Sequence, residues 1–319
     1  MTNIPKLTVR SAQVFAVSCI IGEMMFSTLS HVLLRTAATA LSPPQALFLR
    51  LLFAVVLVTP WILTDRHLRP QRYVAMADRP RLLRYALCGI VSYLASMAWL
   101  YAMINLPLAM ATSLFFTSGL FAGLCAWWLL NEPFQRRSWL ALAVGLCGVL
   151  IVLQPTTDNI RIEGVIAALV AAALAALTIT QLRMLRGRET PTLSALLRLV
   201  PAIPLAALPA LKFWMWPRGT AIAGIFAAAA LLVLGQAAAA KAFGTLRLHQ
   251  AAPLEYMRLI FATTAGVLVF KEAIGTATLL GGAVILVAAW IGSRVSNARA
   301  DEQSVATSLS TTNLREGSS

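Results

Sequence analysis

The chain has 319 residues, of which 59% are hydrophobic and only 12% are charged, and its formal net charge is +14. A soluble globular domain has roughly 25% charged residues. The composition therefore excludes an ordinary soluble protein and favours one embedded in a lipid bilayer.

Ten apolar runs follow one another along the chain, and each is long enough to cross a bilayer as a helix. A hydrocarbon core of about 30 Å needs roughly 20 residues at 1.5 Å per residue. Helices satisfy their own backbone hydrogen bonds in lipid, and the runs are rich in alanine, leucine and valine. The predicted spans are residues 11–33, 44–63, 84–104, 108–130, 138–154, 162–182, 192–211, 219–240, 250–270 and 276–295. The sequence thus predicts an all-α membrane protein with ten transmembrane helices.

The second half of the chain repeats the first. Pro43 stands seven residues before Arg50, and Pro191 stands seven before Arg198, at an offset of 148. Two later segments of 27 residues, which end at Glu132 and at Glu272, are related by an offset of 140. An internal repeat of this length indicates a chain built from two equivalent structural units.

Each half holds five predicted spans, so the second half must lie upside down relative to the first. Inverted repeats of this kind are typical of secondary transporters, with the substrate site between the repeats near the bilayer midplane. We predict one five-helix repeat at 11–154 and another at 162–295, which superpose after a half-turn about an axis in the membrane plane. Residues 296–319 form a Ser/Thr-rich tail that we predict to be disordered and cytoplasmic.

The basic residues are unevenly distributed between alternate loops. A cytoplasmic amino terminus places 17 of the 26 lysines and arginines inside the cell, as the positive-inside rule requires. They are Lys6, Arg10, Arg66, Arg69, Arg72, Arg79, Arg81, Arg84, Arg136, Arg137, Arg183, Arg186, Arg188, Arg247, Arg294, Arg299 and Arg315. The positive charge therefore indicates topology, not nucleic-acid binding, and both termini are predicted to be cytoplasmic in a multi-pass protein of the inner membrane.

Nothing in the sequence predicts an enzyme, a metal site or a cofactor. The four cysteines, Cys19, Cys88, Cys125 and Cys147, lie in different predicted spans and lack metal-ligand spacing. The sequence contains no nucleophile elbow, no Gly-rich phosphate loop and no Walker motif. An ATP-driven pump built on this chain alone is excluded.

Charged residues inside the spans are the first candidates for a substrate or ion pathway. Each costs at least roughly 2.5–3.5 kcal/mol at mid-membrane, so each is expected to face a cavity or a partner. Arg50 and Arg198 occupy equivalent repeat positions, which favours a scaffolding role over a direct substrate clamp. Glu255 and Arg258 lie three residues apart on one helix face, which favours a structural ion pair.

Glu23 differs from these residues because it has no repeat partner. Ala171 stands 148 residues later. An acid alone at mid-membrane is a candidate for proton coupling or substrate contact, with Arg50 or Arg198 as its expected cationic neighbour. The alternative is that Glu23 merely satisfies a neighbouring helix.

Aromatic and polar side chains in the spans form a second set of candidates. Amphipathic rings either stack on a planar ligand or pack between helices. The rings are Tyr93, Trp99 and Tyr101 in span 3, Phe115, Phe116 and Phe121 in span 4, and Tyr256 in span 9, and the polar Gln236 in span 8 is included with them.

Glycines recur in the last span of each half. Gly145 and Gly148 lie in the fifth span, and Gly281 and Gly282 in the tenth. Small residues at such positions allow close helix approach, either within the chain or in a homodimer.

Two segments resemble the EamA repeat of the drug/metabolite transporter superfamily. They are SLFFTSGLFAGLCAWWLLNEPFQRRSWLALAVGLCGVLIVLQP and QAAPLEYMRLIFATTAGVLVFKEAIGTATLLGGAVILVAAW. The resemblance covers about residues 11–295 and implies a ten-helix, ATP-independent carrier with an alternating-access cavity between the repeats. One departure is Gly119, where many members carry a helix-breaking proline, so the kink is either absent or supplied by glycine flexibility.

We therefore predict a secondary transporter of a small organic metabolite. The resemblance implies export of an amino-acid-derived compound, including metallophores. It also implies an alternative, because PLEYMRLIFA is similar to the branch of S-adenosylmethionine-like and riboflavin-like transporters: an importer of a vitamin or nucleoside-like metabolite. An intramembrane enzyme is the distant alternative. The expected partners are the metabolite and the lipid bilayer, with no nucleic acid.

Overall fold

The computed structural model describes residues 9–64, 79–130, 136–152, 161–185, 191–243, 257–272, 275–288 and 290. All regular structure in these ranges is helical, and they contain no strand. The helices are α1 (Val9–Ala40), α2 (Pro43–Thr64), α3 (Arg79–Asn105), α4 (Leu108–Phe115), α5 (Ser118–Leu130), α6 (Arg136–Val152), α7 (Ile162–Met184), α8 (Pro191–Lys212), α9 (Gly219–Phe243), α10 (Met257–Phe270) and α11 (Thr276–Ala288).

Seven helical segments of the described ranges are long and apolar enough to cross a membrane. They lie in α1, α2, α3, α4 with α5, α7, α8 and α9, while α10 and α11 are shorter apolar helices. Their outer surfaces carry large exposed side chains such as Trp128, Leu83 and Leu268, which suits contact with lipid. The predicted all-α membrane class is confirmed, whereas the count of ten spans and the inversion stay predictions.

The helices pack in pairs drawn from the two predicted halves. The two most extensive pairs are α1 with α9 and α3 with α7. The next are α2 with α8, α3 with α8, α5 with α7 and α2 with α9. At the first of these junctions, α9 presents buried alanines to α1, and the Ser30 hydroxyl donates a 2.6 Å hydrogen bond to the Ala228 carbonyl. Small side chains let the backbones approach, as membrane helix packing favours.

Two glycines lie at close helix crossings. A Cβ atom at Gly89 of α3 would collide with the backbone carbonyl of Arg198 in α8. A Cβ at Gly148 of α6 would lie 2.7 Å from Ile285 Cγ1 and 3.0 Å from the Gly281 carbonyl oxygen in α11. The close approach predicted from the glycines of the fifth and tenth spans is thus an internal contact between α6 and α11.

The fourth predicted span is broken in its middle. Phe116 and Thr117 form a turn between α4 and α5, and the Thr117 hydroxyl donates a 2.7 Å hydrogen bond to the Leu114 carbonyl. Backbone bonds here close shorter, three-residue turns, from Thr117 N–H to Leu114 and from Gly119 N–H to Phe116. The break exists without a proline, because a threonine hydroxyl takes a carbonyl out of the regular helical pattern.

Polar bonds join the segment that follows α8 to the junction of α1 and α2. The fully buried Gln45 donates to the Met215 carbonyl at 2.6 Å and accepts from the Met215 N–H at 3.0 Å. Ser42 donates to the Phe213 carbonyl at 2.9 Å. Nearby, Trp214 and Trp216 are exposed, in agreement with the interfacial position that tryptophan favours.

Candidate functional site

A cavity of about 250 Å³ lies between the two predicted halves of the chain. Its walls come from α1, α3 and α4 of the first half and from α7, α8 and α10 of the second. Ligand sites between helices of a bundle have this form, with an apolar lining and a few converging polar groups. The cavity is therefore the candidate substrate site.

One wall of the cavity is aromatic. The Trp99 and Phe115 ring centroids lie 4.7 Å apart with the rings tilted by 52°, and the His31 ring meets Trp99 edge-on at 5.7 Å. All three side chains line the cavity. The buried Trp99 Nε1 has no hydrogen-bond partner among the described residues. The wall therefore offers both an aromatic surface for stacking and an N–H donor.

Hydroxyl groups line much of the remaining surface. They belong to Thr28, Ser92, Ser96, Thr112 and Thr178. Ser96 donates its proton to the Ser92 carbonyl at 2.9 Å, and Thr178 donates to the Leu174 carbonyl at 2.9 Å, each one turn back along its own helix. Because these hydroxyl protons are already used, their oxygens present acceptor lone pairs.

Two arginines complete the lining, Arg198 from α8 and Arg258 from α10. Arg258 Nη2 donates to both carboxylate oxygens of Glu23 at 3.2 Å, and the side chains of this pair are 24% and 12% exposed. Arg198 lies beside the Cys88 thiol, which in turn lies 3.9 Å from the Thr178 carbonyl. The site thus holds one paired guanidinium and one whose described neighbour is a thiol.

Arg50 stands behind the cavity wall. Its side chain is 9% exposed, and Nη1 has no hydrogen-bond partner in the described part of the chain. The His31 ring lies within electrostatic range of both Arg50 and Arg258. Arg50 therefore adds positive potential to the site without lining it.

The structure brings together four of the nine residues that the sequence singled out. Trp99, Arg198 and Arg258 line one cavity, and Glu23 pairs with Arg258. Tyr93 is buried in the core between α1, α2 and α8, and Gln236 is exposed on α9. Glu255 and Tyr256 lie outside the described residues.

The cationic neighbour expected for Glu23 is corrected by the geometry. Arg50 and Arg198 were the expected partners, whereas Arg258 of α10 forms the contact. Helix spacing alone relates Arg258 to Glu255 on its own helix, and only the packing of α1 against α10 brings Glu23 within reach. The predicted pair of Arg258 with Glu255 stays a prediction.

Sequence reasoning missed His31 as a member of this site. Glu23, Ser27 and His31 are spaced by four residues, so they share one face of α1. A search for polar residues at helical spacing from Glu23 finds His31. It equally finds the buried Ser27 and Ser30, so the signal exists but does not by itself single out the histidine.

Comparison with known proteins finds a family match for the first half of the chain. Residues 14–154 match the model of the EamA-like transporter family. A solved crystal structure of a protein superposes with a TM-score of 0.58 at 18% identity, covering 91% of this chain and 98% of that one. The likeness to that structure concerns the fold.

Several named transporters are similar over most of the chain. An S-adenosylmethionine uptake transporter of Rickettsia felis is 24% identical over 273 residues, which cover 83% of this chain and 87% of the relative. A riboflavin transporter of Vibrio cholerae is 26% identical over 238 residues, covering 73% and 76%. A riboflavin transporter of Rhizobium johnstonii is 28% identical over 201 residues, covering 62% and 65%.

Proposed function

We infer that this chain, whose residues 14–154 match the EamA-like transporter family, is a secondary carrier that takes up a planar heteroaromatic metabolite across the inner membrane by alternating access. The observation that carries this proposal is the cavity, with the Trp99 and Phe115 rings on one wall and helices of both predicted halves around it. Such a ring surface suits stacking of a flat ring system. The hydroxyl oxygens of the lining suit the N–H groups at a heterocycle's edge.

The comparisons favour the importer alternative over the export of amino-acid-derived metabolites. One relative is named for the uptake of S-adenosylmethionine and others for riboflavin. Adenine and the flavin ring system are both planar heteroaromatic groups. The shared chemistry of these substrates agrees with the aromatic wall, whereas an aliphatic amino acid makes little use of it.

The ten-span inverted architecture is part of this proposal. In chain order, α1, α2 and α3 of the first half correspond to α7, α8 and α9 of the second. When each helix is exchanged with its counterpart, the α1–α9 contact becomes the α7–α3 contact, and the α3–α8 contact becomes the α9–α2 contact. The α2–α8 contact maps onto itself. This exchange symmetry supports two equivalent repeats with the cavity between them, which is the arrangement that alternating access requires.

Transport in proteoliposomes tests the proposed function. Purified protein should accumulate radiolabelled S-adenosylmethionine or riboflavin, and a panel of unlabelled heteroaromatic compounds should compete. Trp99→Leu should raise KM by about 2- to 12-fold, since an aromatic contact contributes roughly 0.5–1.5 kcal/mol.

The matched control is Trp128→Leu, because Trp128 is 74% exposed on the outer surface of α5. Its KM should equal that of the wild type. Absence of accumulation and competition across the whole panel, or an equal effect of both tryptophan substitutions, contradicts the proposal.

A further inference from the structure

The chemistry of the cavity indicates more than a ring-binding site. Three buried N–H groups around it have no hydrogen-bond partner in the described ranges: Trp99 Nε1, Arg198 Nε and Arg258 Nε. Unpaired buried donors are costly, at about 1–3 kcal/mol each, more for charged groups. A ligand that offers several acceptor atoms would satisfy them.

The charges around the site also favour a ligand with acceptor atoms, because positive charge is in excess. The described residues contain three acids, Glu23, Glu163 and Glu272. Glu272 is paired with Arg35, and Glu163 accepts from the Tyr101 hydroxyl, so each has a described partner other than the arginines of the site. Glu23 alone among them neutralises an arginine of the site.

Three arginines lie in or near the site, whereas Glu23 supplies its one described carboxylate partner. Arg258 is paired, whereas Arg198 on the wall and Arg50 behind it have no carboxylate partner in the described part of the chain. Cationic side chains at membrane depth require a partner or a polar cavity. The described groups therefore leave two arginines without a carboxylate partner at a cavity of about 250 Å³, with Arg198 lining it and Arg50 behind its wall.

We propose that the substrate carries an anionic group, a carboxylate or a phosphate, that binds Arg198 and the free edge of Arg258 while its ring system stacks on Trp99. This inference rests on the proposed function and narrows it from heteroaromatic to anionic heteroaromatic compounds. The planar guanidinium fork matches both anions, since each presents two or more acceptor oxygens in one plane. Arg258 is held in place by Glu23, and Arg198 supplies the uncompensated charge.

Gly89 gives Arg198 its position. The crossing of α3 and α8 at Gly89 brings the Arg198 backbone against α3, and the same stretch of α3 carries Ser92 and Ser96 on the cavity wall. Arg198 therefore lines the same cavity as these hydroxyl groups and the aromatic rings. One ligand can contact all three kinds of group.

Matched ligand pairs test the proposal on the purified full-length protein in detergent. Nicotinamide with nicotinate isolates a carboxylate, and riboflavin with riboflavin 5′-phosphate isolates a phosphate. Binding is measured by equilibrium dialysis. We expect the anionic member of at least one pair to bind at least about tenfold more tightly than the neutral member. The pair that shows the preference distinguishes carboxylate from phosphate.

Three variants test whether the charge of Arg198 causes the preference for the anionic ligand. Arg198→Gln should reduce the preference to less than about threefold, while Arg198→Lys, which keeps the charge, should retain most of it. Arg161→Gln is the control, because Arg161 is exposed and bonds to Asn105 at 3.1 Å.

Each outcome decides the question. Equal binding of both members in both pairs overturns the anionic group while leaving the heteroaromatic carrier standing. The proposal is also overturned if Arg161→Gln and Arg198→Gln lose the preference for the anionic ligand equally. It is overturned as well if Arg198→Gln keeps that preference unchanged. If no member of either pair binds and no heteroaromatic compound is transported, both this inference and the proposed function fail.

Discussion

The Glu23–Arg258 pair joins side chains 235 residues apart in the sequence at the edge of the cavity. An unpaired charge in such a site is costly, and removal of one partner of a buried pair costs about 3–5 kcal/mol where the remaining charge stays uncompensated. The pair here is partly exposed, so water in the cavity reduces that cost. Its position next to the candidate site, between α1 and α10, makes it sensitive to helix movement and to ligand charge.

The first prediction at this scale concerns Glu23→Gln. The variant should fold and insert, because glutamine keeps the shape and an acceptor oxygen for Arg258. Transport should fall by about tenfold or more and lose most of its pH dependence, since the carboxylate that balances Arg258 is gone. Initial uptake rates in proteoliposomes between pH 5 and 8 measure both effects.

Glu163→Gln serves as the control, because Glu163 accepts a hydrogen bond from Tyr101 at an exposed site. If Glu23→Gln transports nearly normally at every pH with normal expression, Glu23 only satisfies its neighbouring helix. Attention then shifts to the aromatic wall and to Glu255.

At the scale of the helices, the end of α10 joins three elements through one side chain. Glu272 Oε1 accepts from Arg35 of α1 at 2.6 Å, and Oε2 accepts from the Leu108 N–H at the start of α4 at 2.7 Å. Lys271 adopts a left-handed backbone conformation with φ of 53°, which ends the helix and turns the chain back. Arg35 also lies 4.1 Å from the centre of the Phe270 ring.

This junction predicts a graded loss of stability. Glu272→Gln removes the ion pair but keeps an acceptor for the Leu108 N–H, whereas Glu272→Ala removes both. A hydrogen bond to a charged group contributes about 1.5–3 kcal/mol, so we expect Tm to fall by roughly 3–12 °C for Glu272→Ala and by less for Glu272→Gln. Thermal unfolding of purified protein in detergent measures the difference.

The control for the junction is Arg161→Gln, whose site at the start of α7 is exposed. Its Tm should stay within about 1 °C of the wild type, as is usual for surface substitutions. Equal Tm values for the two Glu272 variants would show that the hydrogen bond from the Leu108 N–H contributes nothing beyond the ion pair.

At the scale of the whole molecule, the helix contacts support a symmetric scaffold around an asymmetric site. His31 and Ile179 occupy equivalent positions, 148 residues apart, and both line the cavity. Arg198 lines it as well, while its equivalent Arg50 lies behind the wall. We propose that the symmetric frame provides two alternative arrangements of similar energy and that the asymmetric lining selects the ligand.

The orientation of this scaffold is predicted from the arginine distribution. In a variant whose four native cysteines are replaced, a cysteine introduced within residues 66–79 should resist an impermeant thiol reagent added to intact cells. A cysteine in place of Thr157 should react, because that loop is predicted to lie outside. The reverse labelling pattern would refute the predicted topology, and labelling of permeabilised cells controls for accessibility.

The sequence alone was sufficient for the all-α membrane class, for most helical elements of the described ranges and for the likeness to the EamA-like transporter family, which residues 14–154 match. Each depends on information local in the chain: the length of apolar runs, their composition and a repeat at a fixed offset. The ends of α2, α3, α7 and α8 lie within a few residues of the predicted spans, except that α3 begins five residues earlier, at Arg79. The sequence did not determine whether the helix breaks at Phe116 and Thr117, because position 119 holds a glycine where a proline would have predicted a break.

The tertiary structure decided which of the candidate residues meet. A charge in a span must face a cavity or a partner, but helix periodicity relates it only to neighbours three or four residues away. The decisive contacts all join different helices. Glu23 of α1 contacts Arg258 of α10, and the Arg198 backbone of α8 packs against Gly89 of α3. The Trp99 ring of α3 contacts the rings of His31 in α1 and Phe115 in α4. Such contacts depend on how small residues set the distance and rotation of packed helices, which no single helix encodes.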